Sequence, residues 1–275
     1  MTRLDPEALP PVTAELTRRI DGAIAGHMEL RLNVARALPG NPGGIEVRHF
    51  GHAMASLARE IPFPYMSLVR RFRAADLDQL DAIADFYGDA RFGIEVIPSE
   101  LTPEVAERFL GLGLHMTQFD SLLYGLPISQ GPALPDGLTI DPVDADGADL
   151  AQQLYLDGFE FPDVDRENAR RFLPCWIDDR AIDVRIASLD GEPAAMGILY
   201  THDRISYFAG GATLRDQRRH GCQTALLRHR MTLAAERGAD FVVSKTGFAT
   251  NSQNNMERLG LRLACSMGTW YSQAT

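Results

Sequence analysis

The pattern of apolar and polar positions is clearest in the second half of the chain. Leu138–Val143 reads as a strand, Gly147–Gly158 has helical spacing, and a second helical segment is predicted around Asp165–Trp176. Asp183–Ser188 and Ala194–Tyr200 are apolar runs on either side of Asp190-Gly191, a pair suited to a tight hairpin turn. A further strand begins at Ile205, after His202-Asp203, and runs to Leu214. It mixes β-branched and aromatic residues and carries Gly210-Gly211 near its end, where a bulge or a close backbone approach is expected. A helical period starts at Ala225-Leu226-Leu227, runs through Glu236 and stops at Gly238, and Phe241–Lys245 forms the next strand. Phe208, Phe241, Leu227, Met231 and Ala234 are placed in the core by their spacing. Near the start of the chain, Leu16, Ile20 and Ile24 form the stripe of a packed amphipathic helix.

Between the halves, residues 128–137 have the Pro/Gly punctuation of a linker. With 275 residues the chain is long enough for two domains, each able to bury a core. A hydrophobic share of 45% and a charged share of 23% are ordinary for globular proteins and argue against disorder. The formal charge of −10 argues against nucleic acid or an anionic membrane as partner and mildly favours a cationic ligand such as an amine. Cys175, Cys222 and Cys265 are odd in number and lack metal-type spacing, so no metal is expected and the plain reading is a reduced, cytoplasmic protein. The opening MTRLDPEALP is too acidic and too interrupted for a signal peptide, and no apolar run is long enough to span a bilayer.

The first half echoes the second. Leu112-Gly113-Leu114 and Tyr124 stand at a constant offset from Leu259-Gly260-Leu261 and Tyr271, and each Leu-Gly-Leu comes after a helical stretch and an apolar strand, Phe92–Ile97 or Phe241–Lys245. The halves differ where the second has its glycine turn. There the first half reads Arg71-Phe72-Arg73-Ala74-Ala75-Asp76-Leu77-Asp78, with no glycine.

That turn, Arg218-Arg219-His220-Gly221-Cys222-Gln223-Thr224, carries the chemistry. A glycine turn opening onto a helix leaves several N–H groups unpaired at the positive end of the helix dipole, a ready site for a pyrophosphate. By itself the turn is also compatible with an ordinary strand–helix connection. Together with the downstream stretch from Asn251 to Leu261, it resembles the acyl-CoA signature of the GNAT (general N-acetyltransferase) superfamily, Gln/Arg-x-x-Gly-x-Gly/Ala after a splayed strand. Arg218 and Gly221 match, and Gln223 departs from the last small residue. Asn251 and the stretch closing on Leu259-Gly260-Leu261 resemble the superfamily's second motif, with Leu261 where Phe is usual.

The resemblance implies an α/β (α+β, mixed-sheet) protein built as two tandem acyl-CoA N-acyltransferase-like domains. Residues 1–130 would be a degenerate N-terminal repeat, and residues 131–275 the domain that binds acetyl-CoA. The degenerate half is expected to shape the acceptor cleft or to mediate homodimer contacts. The pyrophosphate would lie on the amides of Arg219–Thr224, with Arg218, Arg219 and His220 adding charge. The alternative for the two arginines is a solvated pair. Gly211, Ala212 and Thr213 would form the splayed strand end that takes the pantetheine arm, where a backbone N–H polarises the thioester carbonyl. Asn251 stands at the position of the arm-binding Asn, and a helix cap is its alternative. His229 is expected on the helix surface, and Cys222 as a small packing residue.

Acid–base groups are less evident. An alkylamine is neutral at pH 7 to only about one part in a thousand, so a base or a water relay helps, and the expelled thiolate benefits from a proton donor. Many relatives place a Tyr four residues before the motif's Gly; here that residue is Met256. Tyr271 and Ser252 are the substitutes, although either type commonly packs or caps. Glu160, in the acidic turn 160–165, is the candidate base, with a plain surface loop as its alternative. The function so implied is transfer of an acetyl group from acetyl-CoA to an amine of a small molecule or peptide, by direct attack in a ternary complex. The rivals are a non-catalytic CoA-sensing module, an aminoacyl-tRNA-dependent transferase, which the acidic charge disfavours, and a scaffold that binds no CoA.

Overall fold

The computed structural model describes residues 9–272; most of the opening segment, residues 1–8, on which the signal-peptide expectation rests, lies outside the described residues. These form two compact units, neither contiguous in sequence. One gathers Pro11–Leu122, Thr246–Phe248 and residues 263–272; the other gathers Leu123–Lys245 and Ala249–Arg262. Residues 123–130 thus group with the C-terminal unit, while the last strand of the chain groups with the N-terminal unit.

In the N-terminal unit, α1 (Ala14–Arg36) starts at Thr13, whose side chain accepts from Leu16 N. Its stripe of Leu16, Ile20 and Ile24 is buried as the spacing predicts. The strands are β1 (Ile45–Phe50), β2 (Ala53–Ala58), β3 (Leu68–Arg70), β4 (Gly93–Val96), β5 (Leu114–Gly125, of which residues 114–122 belong here) and β11 (Arg262–Ser272). β1, β2 and β3 pair antiparallel, β3 and β4 parallel, and β11 lies antiparallel on β4 with Trp270 opposite Ile94. This pairing is what draws the C-terminal strand into the N-terminal unit. Helices α2 (Leu80–Tyr87) and α3 (Pro103–Gly111) complete it. Phe72, Tyr87, Phe109 and Trp270 lie in one apolar core, where Phe109 and Trp270 meet edge to face at 5.4 Å.

His27 sits inside the buried stripe of α1 and is 4% exposed. Burial, with the Arg31 charge one turn away, holds its imidazole well below the ordinary range, so it folds neutral. Only the unfolded chain takes up this proton below about pH 6.5. The contribution to stability is therefore complete above that pH and is lost as pH falls toward the folded value, at up to about 1.4 kcal/mol per pH unit. Urea midpoints measured from pH 7.5 to pH 5 are expected to decline for the wild type and to decline less steeply for His27→Gln. Parallel declines would refute the assignment.

In the C-terminal unit the strands run in the order β10 (Phe241–Gly247), β9 (Ile205–Thr213), β8 (Glu192–His202), β7 (Ile182–Leu189), β6 (Leu138–Pro142). The β7–β8 turn is Asp190-Gly191, both at positive φ (52° and 86°), as a twisted two-residue hairpin requires. Helices α4 (Ala148–Gly158), α5 (Asp163–Phe172), α6 (Cys222–Glu236) and α7 (Asn251–Arg258) accompany them. Two boundaries differ from expectation by three residues or more. α5 ends at Phe172 rather than running to Trp176, because Leu173 precedes Pro174 and is driven to φ −123°, ψ 56°. α6 begins three residues before the apolar period does, at Cys222, directly after Gly221 turns the chain at φ 85°. Phe208, Leu227, Met231 and Ala234 are core as predicted; Phe241 is half-buried against Tyr124. Among the described residues no helix is long and apolar enough to cross a membrane.

Candidate functional site

Two irregularities in β9 open the site. Its antiparallel register with β8 slips between Leu199, which faces Phe208, and Ile198, which faces Gly210, so Ala209 is bulged out of the pairing. Its parallel register with β10 covers only Ile205, Ser206 and Tyr207 against Phe241, Val242 and Val243. Beyond that point the two strands continue without pairing to each other, which leaves that edge of β9 open to an extended partner. Gly158, at the end of α4, allows the closest approach. A Cβ there would lie 2.7 Å from Ala212 Cβ and 3.0 Å from Thr213 N.

After β9 the chain makes a 3-10 turn, Arg215–Gln217, then passes Arg219 at φ 71° and Gly221 at φ 85° before α6 begins. Gly221 supplies no side-chain cap, and the first turn of α6 holds no acidic residue. Nothing lies within 4 Å of where its Cβ would be. The leading N–H groups of the helix therefore face open space with the positive dipole end uncompensated, an arrangement that fits a pyrophosphate.

The strand end and the turn share one groove of about 1320 Å³. Every residue predicted to hold the acyl carrier lines it: Gly211, Ala212, Thr213, the run Arg218 to Thr224, and Asn251. Ser252 and Asn255 line it too. Asn251 does not cap α7; Thr250 does, accepting from Gln253 N at 3.3 Å, so the exposed Asn251 amide is not committed to the cap. Gln223, at the motif's small-residue position, is turned toward α7 and accepts from Asn255 Nδ2 at 2.7 Å.

Other predicted residues have different surroundings. Arg218 donates to Glu160 Oε1 at 2.7 Å and to Gly158 O at 3.1 Å, tying the turn to the end of α4. Glu160 is thus an ion-pair partner rather than a free base. Tyr271 belongs to the N-terminal unit, on β11, with Arg91 stacked 5.2 Å from its ring. Met256, at the position where a Tyr is usual, is 2% exposed in the core. Cys222 packs among Ala187, Ala195 and Leu226, and burial raises its thiol pKa, so only its main chain serves the groove. His229 is a correction: it is half-buried rather than on the surface. Residues 131–135 and this face of α6 line a pocket of about 460 Å³ with it. Burial lowers its imidazole pKa. Gly158 and Asn255 carry no signal in the sequence, because a helix-ending glycine and a helix asparagine say nothing of what they face.

From β3 onward the N-terminal unit runs strand, 3-10 turn, helix, strand, 3-10 turn, helix, strand, close to the order from β9 onward, yet its turn is filled. Asp76 Oδ2 accepts from Arg73 N at 3.0 Å, and Glu100 Oε2 accepts from Ala74 N at 3.0 Å. Where β3 and β4 would part, Arg70 and Glu95 form a buried ion pair at 3.4 Å. Carboxylates occupy the donors that an anion would need.

No protein-family model and no curated protein matches the sequence. Solved structures do match the fold. A GCN5-related N-acetyltransferase from Kribbella flavida is 20% identical with a TM-score of 0.63, over 90% of this chain and 96% of that one. A GCN5-related N-acetyltransferase from Sphaerobacter thermophilus is 14% identical with a TM-score of 0.56, over 99% and 97%. A tandem GNAT protein from the clavulanic acid biosynthesis pathway is 16% identical with a TM-score of 0.58, over 93% and 96%. The fold is that of the GNAT N-acetyltransferases, in a chain as long as a tandem one.

Proposed function

We propose that this chain is an N-acetyltransferase that uses acetyl-CoA bound in the C-terminal groove to acetylate an amine of a small molecule or peptide, in a ternary complex. The observation that carries the reading is the joining, in one groove, of the parted β9–β10 edge and the uncapped turn at Gly221. Amides of Arg219–Thr224 hold the pyrophosphate, Asn251 and the edge of residues 211–213 hold the arm, and main-chain N–H groups by the bulge polarise the thioester carbonyl. Of the three acid–base candidates, Ser252 alone lines the groove and is assigned to hand a proton to the departing thiolate. The N-terminal unit, with its own turn filled, would serve acceptor binding or homodimer contacts. Among the described residues Cys175, Cys222 and Cys265 form no disulfide, which suits a cytoplasmic setting.

The buried Met256 and the paired Glu160 favour a second reading, a module that binds CoA without turnover. Release of free thiol from acetyl-CoA, measured across a panel of alkyl- and arylamines, α-amino peptides and aminosugars, separates the two. Amine-dependent release is the expected result. Tight CoA binding with no release on any amine would favour the sensor.

A further inference from the structure

Arg230 lies on the core side of α6 and is 2% exposed. Its guanidinium meets main chain: Nε donates to Leu226 O at 3.3 Å, and Nη1 donates to Ile198 O at 3.0 Å and Gly210 O at 2.8 Å. Its Cζ stands 4.8 Å from the Phe208 ring centroid. Phe208 and Gly210 flank the bulged Ala209, and Ile198 is where the β8 register slips. Three contacts of one side chain therefore converge on the bulge.

The sequence makes room for it. Gly197 and Gly211 are cross-strand partners. A Cβ on Gly197 would lie 2.9 Å from Arg230 Cζ, and one on Gly211 would lie 3.3 Å from Nη2. Two facing glycines open a slot, and the guanidinium fills it. Burial pulls its pKa down to about 10, which still leaves it protonated at neutral pH. The carbonyls of Ile198 and Gly210 at the register slip both take their donor from this one cation.

We propose that Arg230 is a positioning residue for acyl transfer, fixing the β9 bulge and setting a permanent positive charge behind the backbone of residues 209–211. The proposal rests on the acyltransferase reading above. By donating to Gly210 O, the guanidinium polarises the 210–211 peptide group and makes its N–H a stronger donor. By holding the bulge, it keeps that edge in place before the thioester arrives, so no reorganisation is needed during the reaction.

Isotope-edited infrared difference spectra of [1-13C]acetyl-CoA bound to wild type, Arg230→Lys and Arg230→Met test this, with CoA titrations and thermal midpoints alongside. In wild type the thioester carbonyl band is expected below its position in water. In Arg230→Met it should return toward that position, while CoA affinity stays within about 3-fold and the midpoint falls by several degrees, because Ile198 O and Gly210 O lose their donor. Amine-dependent turnover should fall by about 30-fold or more in kcat, with little change in KM for acetyl-CoA. Arg230→Lys should fall between. Should the Met variant not fold, Gly197→Ala, which displaces the guanidinium without removing its charge, is expected to give the same band shift. An unchanged band in a folded variant that binds acetyl-CoA overturns this proposal alone. Absence of acetyl-CoA binding by the wild type overturns the acyltransferase reading and this proposal with it.

Discussion

Gly221→Glu is expected to weaken CoA binding by about 100-fold or more while leaving a folded protein. The carboxylate would stand at the mouth of the turn, a few ångströms from where the pyrophosphate sits, and like charges at that range cost about 3–4 kcal/mol at an effective dielectric near 20. The fold should survive because nothing lies within 4 Å of the new Cβ. The strain of placing a side chain at φ 85° is about 1–2 kcal/mol. A carboxylate at the start of α6 recovers part of that through the helix dipole. Gly221→Ala separates the two effects: it carries the strain without the charge and should bind CoA within about 10-fold of wild type. Titration calorimetry with CoA and acetyl-CoA, beside a thermal melt, reads all three proteins. Unchanged affinity in a folded Gly221→Glu protein would remove the pyrophosphate from this turn.

The turn is legible in the sequence because its chemistry is local. A glycine before a helix and the absence of acids in the next turn can be read from consecutive residues. The same holds for the hairpin at Asp190-Gly191 and the stripe of α1. The two corrected boundaries belong to local rules as well. Pro174 ends α5 early, and Gly221 starts α6 before any apolar period is visible.

Features that depend on pairs far apart in the chain are not legible in this way. Glu160 reads as a free carboxylate until Arg218 is found beside it. No local pattern marks Arg230 as buried; its slot comes from Gly197 and Gly211 facing each other across two strands. Asn251 and Thr250 are equally good caps on paper. Only the bond from Gln253 N to Thr250 decides, and it leaves Asn251 for the groove. The membership of β11 in the N-terminal unit is likewise set by its register with β4, which no local pattern encodes.

Asp76→Ala is expected to destabilise the protein by about 2–4 kcal/mol, without creating a second binding site for CoA. Asp76 is 2% exposed, and its two oxygens take the main-chain N–H of Arg73 at 3.0 Å and of His52 at 2.9 Å. The chain closes tightly on this carboxylate: a Cβ on Gly51, at φ 59°, would lie 2.3 Å from Oδ1. Truncation leaves two donors without their acceptor, each costing about 1–3 kcal/mol, and a thermal midpoint several degrees lower should report it. The vacated donors still do not make an anion site. α2 runs on directly from the preceding 3-10 turn, with Leu80 N bonded to Leu77 O, so it presents no free N-terminus. Ala74 N remains held by Glu100, and the β3–β4 mouth remains closed by Arg70 and Glu95. CoA should therefore titrate to one equivalent per chain in wild type and in Asp76→Ala alike. A second equivalent in either protein would show that the N-terminal turn is not closed by its own carboxylates.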